Sequence, residues 1–189
     1  MLGRTHQLIG VTAGLATYLY VFPAHYSPAT FGTALVAAHF AALLPDIDQP
    51  ASTIWRSLPG GRIAGEVVNP FLQHRNITHS ILGAVLVGWG LHELFRYFPA
   101  YWGVNAHQVW IVAMVAYISH LIADAVTVEG IPVLFPHQRM YGFPPNPFAA
   151  LRIETGHWFE NLIVFPLVNL VLLGLVYLNW STIHAIITH

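Results

Sequence analysis

Five apolar stretches, separated by polar and proline-rich segments, set the pattern of this chain. They run over Leu8–Phe22, Phe31–Leu44, Ile81–Phe98, Val109–Val126 and Phe159–Trp180. A helix that crosses a bilayer needs about 20 predominantly apolar residues, with a range of about 17–25. The last three runs meet that length, while the first two are short and fit a spanning, re-entrant or buried helix. Gly10 and Gly14 lie four apart in the first run. That spacing lets helices approach closely, although incidental small residues would read the same.

Two polar segments interrupt the pattern. Pro45–Thr78 is long and holds Pro, Gly and Arg. Thr127–His157 carries Pro132, Pro136, Pro144, Pro145 and Pro147, a density that blocks a regular helix. It is expected to form an ordered or partly ordered cap over one face. No repeat or low-complexity tail divides the chain, so a single domain over residues 1–189 is predicted.

Composition turns these runs into a membrane reading. Charged residues make up 8% of the 189 residues and hydrophobic ones 56%, against roughly 25% charged in a typical soluble domain. A soluble fold of this size lacks enough polar cover here, whereas lipid solvates an apolar exterior. The predicted class is all-α: a polytopic membrane protein with about five transmembrane or membrane-embedded helices. Arg4 and the apolar run to Phe22 loosely fit a signal peptide, but Pro23-Ala24-His25 is a poor cleavage site, so a retained first helix is expected. Tyr20, Trp102, Trp158 and Trp180 fit an interfacial belt. A net charge of −1 offers no basic field for nucleic acid.

Charge also assigns the sides. Five crossings put the N-terminus, Pro45–Thr78 and Thr127–His157 on one face. Arg4, Arg56, Arg62, Arg75, Arg139 and Arg152 fall on that face and Arg96 alone on the other. The positive-inside rule makes the first face cytoplasmic, in the inner (plasma) membrane.

The chemistry-bearing residues gather on that same face. His6 opens the first helix, Asp46 and Asp48 close the second, and His74 and His79 lead into the third. His120 and Asp124 end the fourth, and Glu154, His157 and Glu160 open the fifth. Pro45 and Pro50 break the chain around Asp46 and Asp48. On extended backbone, two carboxylates two residues apart point the same way, which suits one bridging and one terminal metal ligand. The alternative for that pair is a turn with solvated acids, although such acids oppose the helix dipole. Thr78 or Ser80 is placed to cap the third helix, and Arg75 offers a planar fork for phosphate. His120 and Asp124 are four apart, on one helical face, inside an apolar helix where an unpaired carboxylate is costly. Cys is absent, so a metal would sit on nitrogen and oxygen donors. His6, Asp46, Asp48, His74, His79, His120 and Asp124 are the candidate ligands, enough for one or two divalent ions. Zinc is expected ahead of manganese or iron. His25, His39, His92, His107, His184 and His189 are left outside the site, His39 as a core residue.

With these motifs in order, the chain resembles the YdjM-like family of inner-membrane proteins, regarded as metal-dependent hydrolases. The resemblance rests on Thr5-His6, on Leu44-Pro45-Asp46-Ile47-Asp48, on His74-Arg75 with Thr78-His79-Ser80, and on His120-Leu121 with Asp124. Gly130 and Pro136 also fit, while Gln49 departs from the His that the family often has before the proline. The His-x-x-x-Asp spacing is also similar to that of α-helical zinc phospholipase C and nuclease enzymes, an analogy that implies phosphoester chemistry.

Two functions are weighed. The first is a membrane-embedded metallohydrolase acting on a phospholipid or another lipid-linked phosphoester. A divalent ion would lower the pKa of water, Arg75 with Arg152 would neutralise phosphate charge, and Glu154 or Glu160 would act as general base or further ligand. The second is a non-catalytic metal-binding or metal-transporting membrane protein, which would need ligands continuing through the bilayer. A structural His/Asp network without metal is the blandest alternative.

Overall fold

The computed structural model describes residues 1–23, 27–49, 52–57, 59, 61, 77–97 and 103–188. Among them the architecture is all-helical, with seven α-helices and no strand. These are α1 (Gly3–Val21), α2 (Pro28–Ala41), α3 (Thr53–Ser57), α4 (Ile81–Arg96), α5 (Ala106–Ala125), α6 (Phe165–Leu178) and α7 (Trp180–Thr188). Each of the five apolar runs forms a helix. The first begins at Gly3 rather than Leu8 and so takes His6 into its opening turn. The last breaks at Asn179, and α7 continues beyond it.

Local chemistry explains the helix starts. Ser27 Oγ accepts from Thr30 N at 3.4 Å with Pro28 in the first position of α2. Ser80 Oγ accepts from Gly83 N at 3.1 Å, so Ser80 rather than Thr78 caps α4. Asn105 Oδ1 accepts from Gln108 N at 3.2 Å and caps α5. A π-helical turn, Glu160–Val164, leads into α6. It lies just before Pro166, which lacks an N–H and crowds the carbonyl four residues back.

The central helix is α5, which packs on α1, α2 and α4. Tyr18, Ala34, Ala38, Val112, Ala116 and Tyr117 are wholly buried along these seams. Gly10 and Gly14 of α1 make close contacts with α2 and its C-terminal end. A Cβ on Gly10 would lie 2.3 Å from the Ala42 Cβ, and one on Gly14 would lie 2.8 Å from the Ala38 Cβ. The four-residue spacing is therefore the seam that lets α1 approach α2, and substitution there would force the helices apart.

Two helices among the described residues are long and apolar enough to cross a membrane, Ala106–Ala125 and Glu160–Leu178. The first is mostly covered by its neighbours, while the second is peripheral. Leu162, Leu167, Leu170, Leu173 and Leu178 along it are 57–77% exposed, an exterior suited to lipid.

The proline-rich segment after α5 is ordered, as a cap. Val128 N donates to Ile153 O at 3.1 Å, and Ile153 N to Val126 O at 3.0 Å. Ile131 and Tyr141 exchange two backbone hydrogen bonds of 2.8 Å each. Gly130 has φ +67°, and a Cβ there would sit 2.4 Å from the Tyr141 carbonyl oxygen. The position needs glycine on both counts.

Candidate metal centre

α1, α4 and the helix Glu160–Leu178 begin at one end of the bundle, and α2 and α5 finish there. That end collects the polar residues. His6, His79, His120 and Glu160 are fully buried, and Asp48 and Asp124 nearly so.

Asp124 is the hub. Its Oδ1 lies 3.1 Å from His6 Nε2 and 2.5 Å from the Met1 nitrogen. Its Oδ2 lies 3.5 Å from His79 Nε2 and 3.6 Å from His120 Nε2. Asp46 closes the other side, with Oδ1 3.7 Å from His79 Nε2 and 3.8 Å from His120 Nε2. The His6 and His120 rings stack, with centroids 3.6 Å apart and planes at 14°. Two triads of donor atoms result, His6 with His120 and Asp124, and Asp46 with His79 and His120. Within each, the donor atoms lie within 4.8 Å of one another.

Backbone and hydroxyl groups orient these donors. His120 Nδ1 lies 2.7 Å from the Ala42 carbonyl oxygen, an acceptor only. Nδ1 must therefore carry the proton, which leaves the Nε2 lone pair toward the carboxylates. Behind His79, Thr78 Oγ1 lies 3.3 Å from His79 Nδ1 and donates to Asp48 Oδ2 at 3.4 Å. That hydroxyl can accept from Nδ1–H while giving its own proton to Asp48, so a carboxylate–hydroxyl–imidazole chain turns His79 Nε2 inward. The Tyr117 hydroxyl donates to the Thr78 carbonyl and fixes this segment on α5.

The residues fit a cation. Buried His120 Nε2 and both ring nitrogens of His6 have no aligned hydrogen bond among the described residues. Leaving such groups unsatisfied costs about 1–3 kcal/mol each. An ion coordinated by imidazole nitrogen and carboxylate oxygen removes that cost. His120 has one nitrogen to give, so the two triads describe one centre rather than two complete ones.

A sequence model for the family described as "YdjM inner membrane protein" matches residues 1–187. The chain belongs to this family. A protein from Bacillus subtilis (strain 168), "Uncharacterized protein YvsG", is 31% identical over 166 residues, covering 87% of this chain and 88% of its own. "Inner membrane protein YdjM" from Escherichia coli (strain K12) is 31% identical over 136 residues, covering 69% of this chain. A protein of the same name from Shigella flexneri matches to the same extent. The aligned region spans 61% of the length of each of these two YdjM proteins. No solved structure matches the chain.

For this YdjM-family chain, five of the expected ligands converge: His6, Asp46, His79, His120 and Asp124. Asp48 stands one step behind, on Thr78. The reason is local: Leu44–Asp48 is 3₁₀ helix, not extended chain. At about three residues per turn, side chains two apart diverge. His74 and Arg75 lie outside the described residues, as do His25, Arg62, Trp102 and His189. His39, expected as a core residue, is instead half-buried in the last turn of α2, with its Nε2 3.2 Å from Gln7 Nε2.

Glu160 is near the cluster but differently engaged. Its Oε1 accepts from Leu2 N and its Oε2 from Gly156 N, each at 2.7 Å. It caps α1, which has no side-chain cap of its own, and a carboxylate suits that helix end. Glu154 pairs with His157 at 2.7 Å, both well exposed. Arg152 donates from Nε to Pro144 O at 2.9 Å and from Nη2 to Gly142 O at 3.1 Å, and so ties down the cap.

The sequence reading missed the mouth of the site. A polar cavity of about 300 Å³ is lined by Asp46 and Asp124 together with Gln49, Ser52, Thr53 and Glu129. The available sign was a cluster of small polar residues just after the Asp pair. It missed Thr78 as a link and the Ala42 carbonyl, for which no side-chain pattern exists.

Proposed function

We propose that this YdjM-family protein is a membrane-embedded metal-dependent hydrolase acting on a phospholipid or another lipid-linked phosphoester. The observation that carries the reading is the convergence of three imidazoles and two carboxylates from four separate segments, with His120 Nε2 buried and turned toward both acids. Gathering so many buried polar groups is costly, and among the described residues the Met1 ammonium pairs with Asp124 and not with Asp46.

His6, Asp46, His79, His120 and Asp124 would hold a divalent ion, zinc ahead of manganese or iron. When bound, such an ion supplies Lewis-acid chemistry: it makes water nucleophilic near neutral pH and withdraws charge from a phosphoryl oxygen. The chain's residues do the rest. The Ala42 carbonyl and Thr78 orient the imidazoles. The cavity beside Asp46 and Asp124 receives the polar head of the substrate. Asp46, at the cavity and less buried than Asp124, is the carboxylate placed to accept a proton from water. Arg75 is assigned to the phosphate charge. Glu154 adjoins Thr155, which also lines the cavity, and Glu160 serves as the clamp on α1.

The reading places five helices in the membrane, α1, α2, α4, α5 and Glu160–Leu178, with the centre at the cytoplasmic face. Six arginines on that face against one on the other support the orientation.

Elemental analysis of the detergent-purified protein, with His120→Ala beside it, tests the centre. The wild type should hold about one equivalent of a transition metal and the variant little. Vesicles of mixed phospholipids should then release a phosphate-bearing product only with the metal-loaded wild type. Bound metal with no turnover, but with metal uptake into sealed vesicles, would replace the hydrolase with a transporter. Absence of metal even after reconstitution would remove both.

A further inference from the structure

The cap turns large apolar side chains outward. Phe143, Phe148, Leu151, Trp158 and Phe159 are 41–74% exposed. They do not ride on a loose loop. Phe143 N donates to Ala125 O at 2.7 Å, and Arg152 spans the carbonyls of Gly142 and Pro144. Single exposed apolar residues are ordinary, but several held on a fixed platform mark an interaction surface. Leu151, Trp158 and Phe159, with Arg152 and Ile153, line one depression of about 420 Å³.

Chain continuity identifies what this surface meets. Trp158 and Phe159 immediately precede the apolar helix Glu160–Leu178. They sit where that helix would enter the bilayer, the level aromatic side chains favour. Charge agrees. Arg139 lies over the Tyr141 ring at 5.6 Å, and Arg4 lies over the Phe165 ring at 4.8 Å with Nη2 2.6 Å from Asn161 Oδ1. Neither arginine forms an ion pair among the described residues, and lipid phosphates are complementary to both.

We propose that the cap is a membrane-contacting surface, seated in the headgroup–acyl boundary of the leaflet that Glu160–Leu178 enters. Phe143, Phe148, Leu151, Trp158 and Phe159 insert among the lipids, and Arg4 and Arg139 take lipid phosphates. The combination of aromatic and leucine side chains with flanking arginine is that of an interfacial element. The surface would hold the mouth of the centre at the lipid headgroups. The placement depends on the membrane helix and not on any reaction at the centre.

The chain has no cysteine, so one introduced thiol can be labelled uniquely. Leu151→Cys and Phe148→Cys probe the cap. Ser57→Cys, exposed on α3, is the aqueous reference, and Leu170→Cys is the reference within the span. Each variant carries an environment-sensitive fluorophore in vesicles of phosphatidylcholine and phosphatidylglycerol. The acyl chains are brominated either near the glycerol or near the chain end. Insertion about 5–10 Å deep predicts that shallow bromines quench labels at 148 and 151 about twofold more than the label at 57. Deep bromines should quench them less than the label at 170. Quenching no stronger than at 57, with aqueous iodide reaching all three equally, would overturn the proposal and leave the cap in water. Protection from both quenchers would also overturn it and assign the face to another protein surface.

Discussion

Replacing Thr78 with valine keeps the shape of the side chain and removes its hydroxyl. That hydroxyl is 3.4 Å from Asp48 Oδ2 and 3.3 Å from His79 Nδ1, so the change cuts the link that turns His79 toward the cluster while leaving every donor in place. Groups that orient metal-binding histidines are worth about 10–100-fold in metal affinity. Both distances here are long for a hydroxyl hydrogen bond, so the low end applies. We expect metal affinity to fall about tenfold, or about 1.4 kcal/mol. Folding stability should fall by a similar amount, because a hydrogen bond to a carboxylate contributes about 1.5–3 kcal/mol, the 3.4 Å separation puts this one at the low end, and the packing volume is unchanged. The assay is zinc competition against a chromophoric chelator in detergent, with thermal unfolding in parallel. Wild-type affinity in Thr78→Val would refute the relay. A loss as deep as that of His120→Ala would also refute it, because Thr78 would then be acting as a ligand.

Other outcomes follow from the same geometry. Gly10→Val places a side chain where a Cβ alone would lie 2.3 Å from the Ala42 Cβ; overpacking of this kind costs about 1–3 kcal/mol. Because the Ala42 carbonyl holds His120, both the melting temperature and metal affinity should drop, and an unchanged melting curve would contradict the α1–α2 seam. Glu160→Ala strips the acceptor from two backbone N–H groups, Leu2 and Gly156, at about 1–3 kcal/mol each, while Glu160→Gln should melt closer to wild type. Turnover abolished in Glu160→Gln at unchanged stability would instead make Glu160 a base. Imidazoles bind metal only when neutral, so bound metal should leave on acidification and return at neutral pH. Full retention in acid, measured by elemental analysis after dialysis, would count against His6, His79 and His120 as ligands.

Helix existence and the face that carries chemistry were legible along the chain. Apolar run length marks a helix, and alternating helix directions bring His6, Asp46, His79, His120 and Asp124 to one end of the bundle whatever the packing. The His120–Asp124 pair was legible for the same reason, since a four-residue step on a helix fixes two side chains in phase. Relations between segments were not. Asp46 and Asp48 both read as ligands pointing the same way from extended chain, but the backbone between them is 3₁₀ helix, which sends one to the imidazoles and the other to Thr78. Glu160 looked like a general base or a further ligand because it is a carboxylate on the right face. Its two oxygens are taken by backbone N–H groups of Leu2 and Gly156, and backbone donors are the same in every sequence. Pattern along the chain thus decides which residues reach this end of the bundle, because periodicity and run length act locally. Packing alone decides which atoms face one another there, because the rotation and approach of each helix depend on contacts such as Gly10 against Ala42, between residues far apart in the chain.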